Sequence, residues 1–242
     1  MILEVCVDGP EGLKAAADGG ADRVELCAAL ALGGLTPSPG LVRVANDLDM
    51  PSVAMIRPRA GDFIWTASEV AFMQADIEVM QSMGVIGVVL GASRPDGRLD
   101  VDVLRKLLEG VDEGREAILH RAFDLAPDPF EALEIAVGLG FDRILTSGGA
   151  VRAVDALRLL AMLHERARDR ITILPGSGIT PENVAGLLAA VPVGEVHASC
   201  ARAIPQPREA VALGFAEATR KETDAGIVRA MRHALRHATG SH

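Results

Sequence analysis

The stretch ILEVCVDGPEGLKAAADGGADRVELC, residues 2–27, decides the fold class. Two short apolar runs, ILEVCV (2–7) and RVELC (23–27), flank a segment at 10–19 whose apolar positions recur near helical spacing. The same unit repeats along the chain. Further runs are SVAMIR (52–57), IGVVLG (86–91), AILHR (117–121), RILTS (143–147), ITILPG (171–176) and EVHAS (195–199), each ending on a polar or conformationally special residue. Helical patterns follow at 38–48, 68–83, 100–109, 129–139, 151–168, 180–190 and 225–238. Start signals for them include Ser38-Pro39, Ser68 with Glu69, Asp128-Pro129 and Thr180-Pro181. Eight strand–helix units within the roughly 250 residues such a fold needs predict a parallel eight-stranded (β/α)8 TIM barrel, one domain over residues 1–242. Its reactive groups are expected at the carboxyl ends of the strands. Two connections exceed what a barrel requires, 58–67 after the third strand and Cys200 to Asp224 after the eighth, and such loops form lids, site walls or subunit contacts. A homo-oligomer is the expected assembly.

Bulk composition narrows the function classes. A net charge of -9 offers no basic footprint for nucleic acid, and with no Tyr, one Trp and six Phe there is little surface for stacking bases. The first residues read as a strand rather than a charged n-region followed by an apolar h-region, and no apolar stretch is long enough for a bilayer. The expectation is a cytoplasmic protein without nucleic-acid or membrane partners. Three Cys do not form a disulfide framework, so they are expected as free thiols, metal ligands or core filler.

Strand parity assigns faces, because both sides of a barrel strand are covered and a charge on the helix-facing side would be buried dry. With Leu3, Val5 and Val7 packed on helices, Glu4 and Cys6 turn into the lumen; with Val24 and Leu26 outward, Glu25 and Cys27 turn inward. The same argument sends Met55, Arg57, His120, Thr146 and His197 to the axis, with Arg59 following in the loop. Burying such charges unpaired costs several kcal/mol, so they are expected to bond one another or to bind something. Arg57 is the expected partner of both Glu4 and Glu25.

Several segments carry a family resemblance. EVCVD (4–8), GGADRVELCAALALGGLTPS (19–38), MIRPRAGDF (55–63), HRAFD (120–124), RILTSGGA (143–150) and PGSGIT (175–180) resemble the copper homeostasis protein CutC family, over residues 2 to about 200. The resemblance implies a cytoplasmic TIM barrel linked to copper handling. The chain departs from the pattern at Ser177, where a glycine is usual, at Ile64-Trp65 and at Cys200.

Two chemistries remain open. Cu(I) is soft and takes thiolates at low coordination number, and Cys6 and Cys27 stand on adjacent strands, roughly 4.8 Å apart in a sheet, with the same parity and at expected matching heights. They are the candidate metal ligands, with Cys200 a weaker third; small cysteines filling the lumen are the alternative. The second chemistry is an enzyme performing acid/base catalysis on a small anionic, possibly phosphorylated, substrate. Glu4, Glu25, His120 and His197 are its candidate proton-transfer groups, Arg57 and Arg59 its anion holders, and Asp124 an orienting group for Arg121 or His120. The loops Ser147-Gly148-Gly149 and Gly176-Ser177-Gly178 each lead toward a helix and are candidate anion cradles, although tight turns explain their glycines equally well.

Overall fold

Eight short β-branched and leucine-rich segments form the parallel strands of the computed structural model, which describes residues 1–239. They are β1 Ile2–Val7, β2 Arg23–Leu26, β3 Ser52–Met55, β4 Gly87–Leu90, β5 Glu116–Leu119, β6 Arg143–Thr146, β7 Thr172–Pro175 and β8 Glu195–Ala198. Helices cover the outside: α1 Pro10–Gly19, α2 Pro39–Asp47, α3 Ala67–Ser82, α4 Val101–Leu108, α5 Pro129–Leu139, α6 Leu157–Ala167 and α7 Val184–Ala190. The strand order β7-β6-β5-β4-β3-β2-β1-β8 wraps the sheet nearly into a closed TIM barrel, with the seam between β7 and β8. No described helix is long and apolar enough to cross a membrane.

Two apolar layers follow from strand alternation. Leu3, Val5, Val7, Val24 and Leu26 join the helices in the outer core. Cys27, Val53, Met55, Val89, Ile118, Leu145 and Leu174 form the inner one, along the axis. Because Leu145 faces the axis, Thr146 has the opposite parity to the one expected; its hydroxyl donates to Asp124 Oδ1 at 2.5 Å. Burial on both faces hides this choice in the run RILTS.

At the amino end of the barrel the lumen is charged. Arg23 donates to Glu4 at 2.5 Å and to Glu195 at 2.6 Å, and Arg143 bonds Glu195 at 3.0 Å and Glu116 at 2.7 Å. This interstrand network closes the floor beneath the apolar layer.

Some helix boundaries differ from the sequence reading for local reasons. The α3 cap is Thr66 rather than Ser68, in a reciprocal capping box with Glu69. Thr180-Pro181 does not begin a helix: the Thr180 amide donates to Asn183 Oδ1, and α7 starts only at Val184. The expected helix over 151–168 is a short 3-10 turn, Ala153–Asp155, followed by α6. The connection from Cys200 to Asp224 is an arm: β9 Ala201–Pro205 pairs antiparallel with β10 Thr219–Thr223 around α8 Arg208–Ala212, and α9 Ala225–Thr239 then packs back on α1. Gly19 permits that return, since a Cβ there would lie 2.4 Å from Val228.

Candidate functional site

Neighbouring strands β8, β1 and β2 place His197, Glu4, Cys6 and Glu25 on one wall of the lumen, all buried. The ladder sets Glu4 beside His197 and Cys6 beside Glu25. His197 Nδ1 lies 2.8 Å from Glu4 Oε1, and its Nε2 faces Glu25 Oε2 at 3.7 Å. One ligand atom each from Cys6, Glu25 and His197 lies within 4.8 Å of the others. Gly176 makes room for this imidazole, since a Cβ there would meet Leu145 at 2.6 Å and His197 at 3.3 Å.

The two thiols expected at matching heights are staggered. Cys6 is level with Glu25, whereas the Cys27 amide donates to the Val7 carbonyl, one step nearer the rim. Barrel closure requires such shear, and parity alone carries no information about it. Burial, and then the charge of Glu25, push the Cys27 thiol well above its ordinary range. Cys200 is buried in the outer core layer, and burial pushes its pKa up to about 12.

The carboxylates diverge in character. Burial opposes ionisation of Glu4, but the hydrogen bond and charge of His197, with Arg23, outweigh it and hold its pKa down to about 2. Glu25 has no arginine; burial raises it to about 7, with the Glu4 charge adding to the effect and His197 opposing it. His197 is raised well above its usual range because Cys6, Glu4 and Glu25 outweigh the burial that disfavours its charge. The cation serving Glu4 is Arg23, not the expected Arg57.

Arg57 serves a different purpose. Its Nη1 donates to the carbonyls of Leu32 and Gly34 at 2.9 and 3.0 Å, its Nη2 to Gly61 at 2.9 Å, and its Nε has no partner. The Phe63 ring lies 4.8 Å from the Arg57 guanidinium carbon and is tilted against His120, 4.6 Å between ring centres. His120 Nδ1 accepts from the Ala122 amide at 3.1 Å, which leaves Nε2 as the protonated nitrogen of the neutral ring and without a partner. Burial, reinforced by Arg57, depresses the His120 pKa to about 3. A Cβ on Gly91 would fall 2.4 Å from this ring, so glycine is needed there. Arg57, His120, Phe63, Glu25, Cys6 and His197 all line one cavity of about 270 Å³ at the carboxyl end of the barrel.

The other expected anion holders are engaged by the protein itself. Arg59 is turned outward over Trp65 and bonds Glu69, Asp62 and the Ile64 carbonyl. In the Ser147–Gly149 turn the amides of Ser147 and Gly149 donate to Asp124, whose carboxylate also accepts from Thr146 and Ser147 and pairs with Arg121. The nest expected for a ligand anion thus holds an internal one, and Gly148 packs against Ala156. At the second turn Ser177 donates to the Val151 carbonyl, and a Cβ on Gly178 would strike the Arg152 stem at 2.7 Å. Arg23 and Phe63 are the residues the sequence reading passed over; both stand inside the runs quoted above.

The chain matches the CutC family over residues 1–202. It is 54% identical over 236 residues to a family protein CutC of Sinorhizobium medicae, covering 97% of this chain and 96% of that one. A family protein CutC of Caulobacter vibrioides is 50% identical, with 98% and 97% covered. Among solved structures, a Streptococcus agalactiae protein named CutC, and provisionally assigned by that name to copper homeostasis, superposes with a TM-score of 0.78 at 30% identity, covering 82% of this chain and 98% of that one. On this similarity, which spans the strands that carry the site, the chain belongs to the CutC family.

Proposed function

We propose that this protein acts in copper homeostasis by holding a Cu(I) ion in the barrel lumen, in the reducing environment of the cytoplasm. The observation that carries the reading is the convergence of Cys6, Glu25 and His197. A thiolate and an imidazole suit a soft or borderline ion, which would displace the proton His197 holds in the metal-free lumen, and the carboxylate supplies a third donor. Glu4 completes the arrangement: bonded to His197 Nδ1, it fixes the ring so that Nε2 faces the cluster, the usual relation of a carboxylate to a metal-bound histidine. Cys6 is the principal thiol. Cys27 stands close by, but its raised pKa disfavours its thiolate form. All three cysteines are free, in keeping with a reducing compartment.

Anaerobic titration of the reduced protein against a chromogenic Cu(I) chelator tests this. The parent is expected to take up about one Cu(I) per chain, Cys6→Ser and His197→Gln to lose competitive binding, and Cys27→Ser to weaken it less. Unchanged Cu(I) affinity in the Cys6→Ser, His197→Gln double variant, with circular dichroism showing a folded barrel, would sink the assignment. A second reading, an enzyme of acid/base chemistry on a small anionic substrate, is favoured by one observation. The unpartnered buried atoms Glu25 Oε1, Arg57 Nε and His120 Nε2 belong to residues lining the same cavity.

A further inference from the structure

Arg57 is buried, yet among the described residues it forms no ion pair with any carboxylate; three neutral backbone carbonyls hold its outer nitrogens. Those carbonyls lock the guanidinium in place without neutralising it. A buried cation in that position lacks its counter-charge, and a fixed donor left unpaired costs stability that a bound partner restores. His120, also packed against Phe63, repeats the situation. Its ring is oriented by the Ala122 amide and by the close fit on Gly91, and its free Nε2–H has no acceptor. Across the same cavity Glu25 Oε1 is also without a partner, and Lys221 of β10 contributes a further cation to the lining.

We propose that the cavity between Arg57, His120 and Glu25 is a binding site for a small hydroxy-carboxylic acid, its carboxylate accepting from Arg57 Nε and His120 Nε2–H and its hydroxyl donating to Glu25. The proposal rests on the second reading above and names its ligand class. The cavity, about 270 Å³, suits a molecule of a few carbons. Phosphate is the poorer match, because the two glycine turns that would cradle it are filled by Asp124 and by the 151–152 segment. Phe63 supplies an apolar face for the ligand's carbon chain. It is held in the loop whose Trp65 donates to the Gly91 carbonyl at 2.9 Å.

The test is calorimetric titration of the metal-free full-length protein with glycolate, acetate and inorganic phosphate. Glycolate is expected to bind saturably and more tightly than acetate, with His120→Phe and Arg57→Met each weakening it about tenfold or more, the worth of one charge-assisted hydrogen bond. His120→Phe keeps the ring packing on Phe63, so it stays informative if Arg57→Met fails to fold. Because the titration uses metal-free protein, glycolate binding is read independently of the metal reading. Glycolate binding without turnover of any hydroxy acid supports the site while defeating the enzyme reading. Phosphate binding without glycolate binding overturns the carboxylate assignment but leaves an anionic substrate in play. Equal glycolate affinity in His120→Phe and the parent overturns the proposal outright.

Discussion

Replacing Arg23 by methionine is expected to lower the melting temperature by about 10 °C, from a loss of about 3–5 kcal/mol when one partner of a buried ion network is removed. The Arg23 side chain is only 7% exposed, so water cannot substitute for it. It bonds Glu4 and Glu195 at once and so ties β2 to both β1 and β8, close to the barrel seam. Glu195 would retain Arg143, but Glu4, fully ionised at neutral pH, would be left with His197 alone. Methionine keeps the stem volume, which confines the effect to charge. Adding Glu4→Gln to Arg23→Met should recover part of the loss, because the stranded carboxylate is then gone. Scanning calorimetry of the two variants at neutral pH decides the matter; a fall of less than about 2 °C for Arg23→Met would mean the floor network contributes little.

Arg23 also marks where reading the sequence reaches its limit. Parity is legible wherever a strand alternates against a layer of known polarity, so Glu4, Cys6, Glu25 and His197 can be sent to the lumen from ILEVCV, RVELC and EVHAS alone. Parity does not reveal the stagger between strands, which is why Cys6 is level with Glu25 rather than with Cys27. Nor does it reveal which cation meets which anion. Arg57 carries the right parity, but it sits beyond the carboxyl end of β3 and is captured by the carbonyls of Leu32, Gly34 and Gly61, whereas Arg23 opens β2 at the height of Glu4. The glycine turns misled for a related reason. A nest looks the same in sequence whether a ligand or Asp124, more than 20 residues away in the chain, occupies it. The arm escaped because ARAIP and TRKET lie largely exposed and show no buried alternation.

Glu25→Gln is expected to raise stability at alkaline pH and to change it little in acid. A carboxyl whose pKa is higher in the folded chain than in the unfolded one binds its proton more tightly when folded. Below the ordinary value of 4.5 both states are protonated and the group costs nothing. As pH rises from 4.5 through about 7 the unfolded state releases the proton first, and the folded state loses ground until Glu25 ionises as well. Above that the penalty is constant, on the order of 3 kcal/mol at about 1.4 kcal/mol per pKa unit. Glutamine occupies nearly the same volume and cannot ionise, so the variant should melt several degrees higher than the parent near pH 8, with the gap closing toward pH 5. Glu4 supplies the opposite slope: its depressed pKa gives stability that is present above 4.5 and lost as pH falls toward about 2, in parent and variant alike. The informative quantity is therefore the difference in melting temperature between the two proteins as a function of pH. A Glu25→Gln variant that melts lower than the parent at pH 8 would show that the charged carboxylate stabilises the lumen. Its burial would then reflect architecture rather than a site held at the expense of stability.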